Sequence, residues 1–340
     1  MSAATVATPA TTVAKAAATD ASGAHAEAVL LLGPTACGKS ALALAFARQF
    51  PLEIISIDST QVYRGLDIGS AKPSAADRGH VPHHLLDLRD PTQPYSAAQF
   101  VRDAAAAIGQ IRRLGKLPLL VGGTMMYARA LREGLSHLPG ADPQLRARIE
   151  REAAEHGWPA LHARLQAIDP ETARRLAPAD RQRIGRALEL FERSGRRPSE
   201  LLRVPTRPLC RLLTIALMPS DRAELHRRIE QRFDAMLQQG FLAEVRALRA
   251  RTDLHAQLPS LRSVGYRQAW EHLEKGTSTD AFRASAIAAT RQLAKRQITW
   301  LRSMNDAVRV DPFADDALER LAGVLANLHE KCEGERVAML

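Results

Sequence analysis

The chain has 340 residues, 46% of them apolar, and its 47 Lys and Arg against 37 Asp and Glu give a formal net charge of +10. That length suits one α/β core with a sizeable insertion, and the basic balance favours a phosphate-rich partner, because clustered cations gain free energy by releasing counterions. Cys37, Cys210 and Cys332 lack metal-ligand spacing and no apolar run approaches the ~20 residues of a membrane helix. A disulfide scaffold, a zinc site and membrane insertion are therefore set aside, and a cytoplasmic protein is expected.

Residues 1–27 are rich in Ala and Thr with no arginine, which argues against a transit peptide and for a disordered tail. The apolar run Ala28 to Leu32 follows, then Gly33-Pro34-Thr35-Ala36-Cys37-Gly38-Lys39-Ser40, then a good helix former from Ala41 to Arg48. Strand, Gly-rich loop and helix are the context of a Walker A phosphate loop, in which backbone N–H groups wrap phosphate, Lys39 bridges the outer phosphates and Ser40 can ligate Mg²⁺. A second strand, Glu53 to Ile57, ends in Asp58-Ser59-Thr60-Gln61. Carboxyl ends of parallel strands converge on the ligand crevice, so Asp58 is placed to bind Mg²⁺ through water, to accept a proton, or to cap its own turn.

His80, His83 and His84 are read as structural hydrogen-bonding groups, since a metal site needs a further ligand. The next strand, Leu117 to Val121, ends in Gly122-Gly123-Thr124, where a nucleotide-hydrolysing motor carries a metal-holding acid. The glycines let a ligand approach the backbone, and Thr124 can cap the helix after it or touch that ligand. The loop grips phosphates, and ATP hydrolysis is not its obvious purpose.

Arg- and Ala-rich helical segments with turn signals fill 142–203, a helical insertion, before the strand Leu212 to Leu217. Pro219-Ser220-Asp221 starts a helix, Gln239-Gly240 breaks it, and a later helix runs from about Asp280 to Arg302. At 100° per residue Arg291, Lys295 and Arg302 share one face, and Ala286, Ala289, Leu293, Trp300 and Leu301 another that packs on the core. Three basic groups, Arg181 with Arg183 and Arg186, Arg262 with Arg267, and Arg291 with Lys295 and Arg296, together suggest a track for a nucleic-acid backbone. The fold class expected is α/β, a P-loop NTPase-like parallel sheet flanked by helices: 28–141 and 204–310 form the core, 142–203 the insertion and 311–340 a C-terminal tail.

Seven ordered motifs now resemble those of tRNA dimethylallyltransferases, also called tRNA isopentenyltransferases. They are Gly33 to Ser40, Asp58 to Arg64, Asp67 to Pro73, Val121 to Thr124, Asp180 to Arg183, Val264 to Gln268 and Thr290 to Gln297. Cys37, Ser40 and Ser263 replace the Ser, Thr and Cys of many relatives, and no C-terminal zinc-finger pattern is present, which resembles the bacterial type. The resemblance implies transfer of a dimethylallyl group from dimethylallyl diphosphate to N6 of the adenosine 3′-adjacent to the anticodon, with Mg²⁺ and no obligate protein partner. It implies that Asp58 is the base, that Gly33, Pro34, Thr35, Ala36, Cys37, Gly38, Lys39 and Ser40 hold the diphosphate with help from Arg232, and that Thr124 touches the reactive region. It assigns to tRNA Asp58, Ser59, Thr60, Gln61, Thr124, Gln182, Arg183, Ile184, Gly185, Arg186, Arg262, Ser263, Val264, Gly265, Tyr266, Arg267, Arg291 and Lys295, with Arg146 at the insertion's start. Two alternatives stay open: a small-molecule kinase of the shikimate or adenylate type, and an RNA-binding P-loop protein without transferase chemistry.

Overall fold

Six parallel strands organise the chain: β1 (Ala28–Leu32), β2 (Leu52–Ile57), β3 (His83–His84), β4 (Leu117–Gly122), β5 (Leu212–Leu217) and β6 (Val308–Val310), in the order β3-β2-β4-β1-β5-β6. The computed structural model describes residues 26–136, 138–203 and 206–338. β1 pairs with β4 on one side and β5 on the other, and its alternate side chains enter different cores. Val29 and Leu31 join Leu119, Val121 and Ile215 on one face, and Leu30 and Leu32 join Ile55, Ile57 and Leu120 on the other. Burial on both faces is why β1 reads as an unbroken apolar run. β3 and β6 are two and three residues long, too short to show a period, and went unseen in the sequence.

Helices α1 (Lys39–Ala47), α2 (Ala75–His80), α3 (Ala97–Arg113) and α4 (Met125–Glu133) come first. α3 and α4 cover one face of the sheet, where Phe100 stacks on Tyr127 with ring centroids 4.2 Å apart. A second compact unit then spans Glu133–Pro208, against the 142–203 expected from the sequence, and holds α5 (Pro143–His156), α6 (Trp158–Ile168), α7 (Pro170–Arg174), α8 (Arg181–Ser194) and α9 (Pro198–Leu202). Its own core contains Ile149, Leu161, Leu165, Ile184 and Leu188. Fully buried Glu189 on α8 is stabilised there by Arg146 at 3.1 Å, Arg186 at 2.7 Å and the Asp142 amide at 2.7 Å.

The remaining helices return to the sheet unit: α10 (Arg222–Gln238), α11 (Phe241–Arg249), α12 (Tyr266–Lys275), α13 (Thr279–Arg302) and α14 (Ala317–Ala338). Asp221 starts α10 by accepting the Ala223 and Glu224 amides. The helical period of α13 places Ala286, Ala294, Gln297 and Leu301 inward. Trp300, expected to pack with Leu301, lies about 100° round the helix and is 39% exposed, with the Arg129 guanidinium 5.9 Å from its ring centroid.

Both expected tails need correction. Residues 1–25 lie outside the described residues, but Ala26 is buried and the Glu27 carboxylate accepts from Arg112 at 2.5 Å and from the Arg211 amide at 3.0 Å. The segment after Asp311 forms α14, whose Leu321, Leu325 and Leu328 are spaced to share one face and are buried in the sheet core. Burying each leucine contributes about 1.5–3 kcal/mol, enough to hold this helix in place.

Candidate active site

Loop 33–38 leaves β1 and turns left-handed at Ala36 (φ 64°) and Gly38 (φ 95°) before α1 begins. No side chain caps the α1 N-terminus, so its first amides are available to an anion, and the helix dipole favours one there. Lys39 Nζ donates to the Pro34 carbonyl at 2.6 Å and lies 3.9 Å from Cys37 Sγ. From α10, Arg232 Nη1 donates to Thr35 Oγ1 at 3.2 Å. Burial holds the Lys39 ammonium below the usual lysine range, assisted by the charge of Arg232 and opposed by Cys37 and Asp58. Burial also lowers Arg232, again against Asp58. Two partly buried cations beside one cleft favour an anion there.

Two cavities adjoin at Ala36, Arg232 and Met236. The larger, an open cleft of about 820 Å³, is lined by Lys39, Ser40, Lys72, Arg78, Arg228 and Arg232. The smaller, about 110 Å³, has apolar walls of Ile229, Phe233, Phe241 and Leu293, and its polar side chains are Asp58, Thr60, Thr35, Ser70 and Thr290, with Arg232 shared at the junction. One chamber suits a charged group, and the other an apolar one beside a carboxylate.

Asp58 follows β2, and its Oδ1 accepts the Thr60 amide at 2.8 Å and the Gln61 amide at 3.3 Å. Oδ2 has no hydrogen-bond partner among the described residues, so the turn cap and a free acceptor coexist in one side chain. Thr124 Oγ1 accepts the Ser59 amide at 3.0 Å, tying the end of β4 to the residue after Asp58. This approach requires Gly122: a Cβ there would lie 2.6 Å from the Ile57 carbonyl carbon and 2.8 Å from Ile57 Cβ. Lys39, Arg232, Asp58 and Thr124 thus meet at the carboxyl ends of β1, β2 and β4.

Two groups hold this arrangement together and were not assigned roles from the sequence. Gln297 on α13 accepts the Thr35 amide at 2.8 Å and donates to the Gly123 carbonyl at 2.8 Å. Glu244 on α11 accepts the amides of Asp67, Ile68 and Gly69 at 3.1, 2.6 and 3.3 Å, and the Tyr266 hydroxyl at 2.5 Å. Gln297 falls in a quoted motif, but only a three-dimensional partner reveals what a buried amide does. Glu244 has no sequence signal.

Several residues expected to touch tRNA are occupied internally. Tyr266 and Ile184 are fully buried, the first under the 67–69 loop and the second in the helical unit's core. Gln61 spends its amide on Ser56, Ser70 and Ala71. Arg146 and Arg186 pair with Glu189, Arg183 with Asp180, and Arg291 with Glu230, although Arg291 Nε is left buried without a partner. Ser263 bonds the Ser260 carbonyl, while Val264 and Gly265 line the small cavity. Ser59, Gln182, Arg262, Arg267 and Lys295 are exposed. Of the histidines, His83 bonds the Val81 carbonyl and His84 bonds Glu53, and among the described residues no cluster of three or more His, Cys, Asp or Glu could hold a metal.

A glycine-rich loop after β1, a carboxylate after β2 two strands away and glycine after β4, where a metal-holding acid would stand, define a P-loop-type α/β protein fitted for group transfer. The IPP transferase family model matches residues 61–304 and the isopentenyl transferase model residues 26–90. The chain belongs to the IPP transferase family. The tRNA dimethylallyltransferase of Bordetella petrii is 56% identical over 307 residues, covering 88% of this chain and 98% of the relative. That of Bordetella avium is 58% identical over 301 residues, covering 88% and 96%. Among solved structures, the full-length tRNA isopentenylpyrophosphate transferase of Bacillus halodurans superposes with a TM-score of 0.65 at 32% identity, covering 91% of this chain and 98% of that one. A eukaryotic dimethylallyltransferase acting on tRNA gives 0.74 at 25% identity, covering 89% and 79%. Among the described residues no helix is long and apolar enough to cross a membrane.

Proposed function

We propose that the protein transfers a dimethylallyl group from dimethylallyl diphosphate to tRNA, at N6 of the adenosine 3′-adjacent to the anticodon, and releases diphosphate. The observation that carries this reading is the pair of adjoining chambers, with Lys39, Lys72, Arg78 and Arg228 lining the larger and Asp58 lining the smaller beside its apolar walls. N6 attacks the allylic carbon, the C–O bond breaks, its electron pair leaves on the diphosphate, and the N6 proton passes to Asp58. Lys39, Arg232 and the loop amides stabilise the departing oxygens, and such preorganised donors cost no reorganisation as charge develops. An adenine amine is a weak nucleophile, so a base beside it is what helps.

Ser40 is exposed at the start of α1, while the loop's other hydroxyl, that of Thr35, accepts from Arg232, which leaves Ser40 to meet a cation. A lone hydroxyl fits Mg²⁺, which keeps several waters and takes its other ligands from substrate phosphates. When bound, Mg²⁺ would neutralise charge growing on the diphosphate. The target base must leave its stack to reach a site of this depth. Exposed Ser59, Arg262, Arg267 and Lys295 in the sheet unit, and Gln182 and Arg183 in the helical unit, are assigned to the tRNA backbone. A tRNA substrate puts this work in the cytoplasm.

The test incubates the protein with labelled dimethylallyl diphosphate, Mg²⁺ and tRNA, followed by nucleoside analysis. Asp58→Ala should lower turnover on the order of 10² to 10⁴ and weaken tRNA binding far less. ATP-dependent phosphorylation of a small metabolite in place of transfer would refute the reading.

A further inference from the structure

Gln297 is 7% exposed, and its amide joins two backbone segments distant from it in the chain. Oε1 holds the Thr35 amide and Nε2 the Gly123 carbonyl, each at 2.8 Å. The fit is close: a Cβ on Gly123 would lie 3.2 Å from the Gly33 carbonyl oxygen, so phosphate loop and strand end press together where the amide joins them. Each segment leads to one half of the proposed site. The Thr35 hydroxyl accepts from Arg232, on the diphosphate side. Gly123 precedes Thr124, whose hydroxyl holds the Ser59 amide next to Asp58. With its N–H committed to Gln297, Thr35 contributes its side chain and not its amide to the diphosphate cradle.

We infer that Gln297 is a positioning residue for the transfer, fixing the separation between the diphosphate loop and the end of β4, to which the turn that carries the base after β2 is tied through Thr124. A planar amide is the side-chain group that donates and accepts at once across this gap. Displacement needs the nucleophile held about 3–3.5 Å from the allylic carbon and in line with its bond to the leaving oxygen, and a misplacement near 1 Å costs on the order of 10²-fold. When the loop slips against β4 it still carries Lys39, α10 still carries Arg232, and the exposed Arg262, Arg267 and Lys295 lie on other segments. Slippage therefore lowers the rate at saturation and leaves both affinities in place.

This inference rests on the site assignment above, so Asp58→Ala is run beside it. Gln297→Met keeps the volume and loses both bonds, whereas Gln297→Glu keeps the acceptor for Thr35 and sets a carboxylate oxygen against the Gly123 carbonyl. The measurements are the single-turnover transfer rate at saturating tRNA and dimethylallyl diphosphate, tRNA affinity, and competitive inhibition by inorganic diphosphate. Both variants should lose about 10- to 100-fold in rate, with both affinities within about threefold of wild type. A folded variant whose saturated rate stays within about twofold, or whose loss disappears at higher dimethylallyl diphosphate, overturns the inference. If Gln297→Met does not fold, the near-isosteric Gln297→Glu decides. An inactive Asp58→Ala beside unaffected Gln297 variants overturns this inference alone, and a fully active Asp58→Ala overturns the site assignment and this inference with it.

Discussion

Replacing Glu244 with Ala tests how the cleft's 67–72 loop is held. The carboxylate satisfies three consecutive amides and one hydroxyl, and its removal leaves four donors without a partner. The Asp67 amide reaches solvent and rehydrates, while those of Ile68 and Gly69 and the buried Tyr266 hydroxyl do not rehydrate fully. At about 1 kcal/mol for each of these three, Glu244→Ala should cost about 3 kcal/mol of unfolding free energy. Tyr266→Phe removes one hydroxyl and should cost about 1 kcal/mol alone, yet almost nothing on the Glu244→Ala background, where the hydroxyl has already lost its acceptor. Burial, and then the neighbouring Glu244 charge, drive the Tyr266 pKa upward, so this hydroxyl remains a donor throughout the neutral range. Urea unfolding of the four proteins at pH 7 supplies the cycle, with constant m-values confirming a common unfolded state. A loss below about 1 kcal/mol for Glu244→Ala, or strict additivity with Tyr266→Phe, would refute the reasoning.

Gly122→Ala drives a methyl against the Ile57 carbonyl and should destabilise by about 1–3 kcal/mol, and an unchanged melting temperature would show that the strand ends can part. Lys39→Met removes a cation from the departing oxygens and should lower kcat/KM on the order of 10²- to 10³-fold with tRNA affinity retained, whereas a loss under about tenfold separates Lys39 from the leaving group. In the helical unit, burial alone would raise the Asp169 pKa, but hydrogen bonds from Thr172 and Ser199 outweigh it and bring it from the ordinary 3.8 to about 2. A depressed carboxylate pKa stabilises the fold above about pH 4, and that contribution, about 2 kcal/mol, is lost as pH falls through about 2. Asp169→Asn should flatten the pH dependence of unfolding between pH 4 and pH 2, and parallel curves for the two proteins would contradict this.

The sequence was most legible where local rules suffice. The run Ala28 to Leu32 and the glycine spacing of 33–40 announce strand, loop and helix without tertiary information, and Asp221 announces the start of α10 by its capping chemistry. Legibility failed where the determining partner is remote in sequence. Exposed-looking motifs hid Tyr266 and Ile184, whose burial depends on Glu244 and on the helical unit's own core. Arg186, which reads as part of a basic track, and Arg146, assigned to tRNA only by the resemblance, are bound to a buried Glu189 that no charge pattern reveals. α14 was missed because no motif marks it, although Leu321, Leu325 and Leu328 carry a helical spacing.

The missing acid after β4 follows from the same geometry that builds the site. Every position where a carboxylate could stand is closed: Gly122 abuts the Ile57 carbonyl, Gly123 abuts Gln297 and the Gly33 carbonyl, and Thr124 is tied to Ser59. In a nucleotide-hydrolysing motor an acid at that strand end helps position Mg²⁺. Here β2 and β4 close up, both the Gly123 and Thr124 amides reach the Ile57 carbonyl at 3.3 Å, and the carboxylate of the site moves one strand outward to Asp58. Restoring an acid by Gly123→Asp should therefore not create an ATPase. It should break the Gln297 bridge, push the loop from β4, and lower transfer at least as far as Gln297→Met does. Gain of ATP hydrolysis with transfer intact would show that the glycines serve something other than close approach.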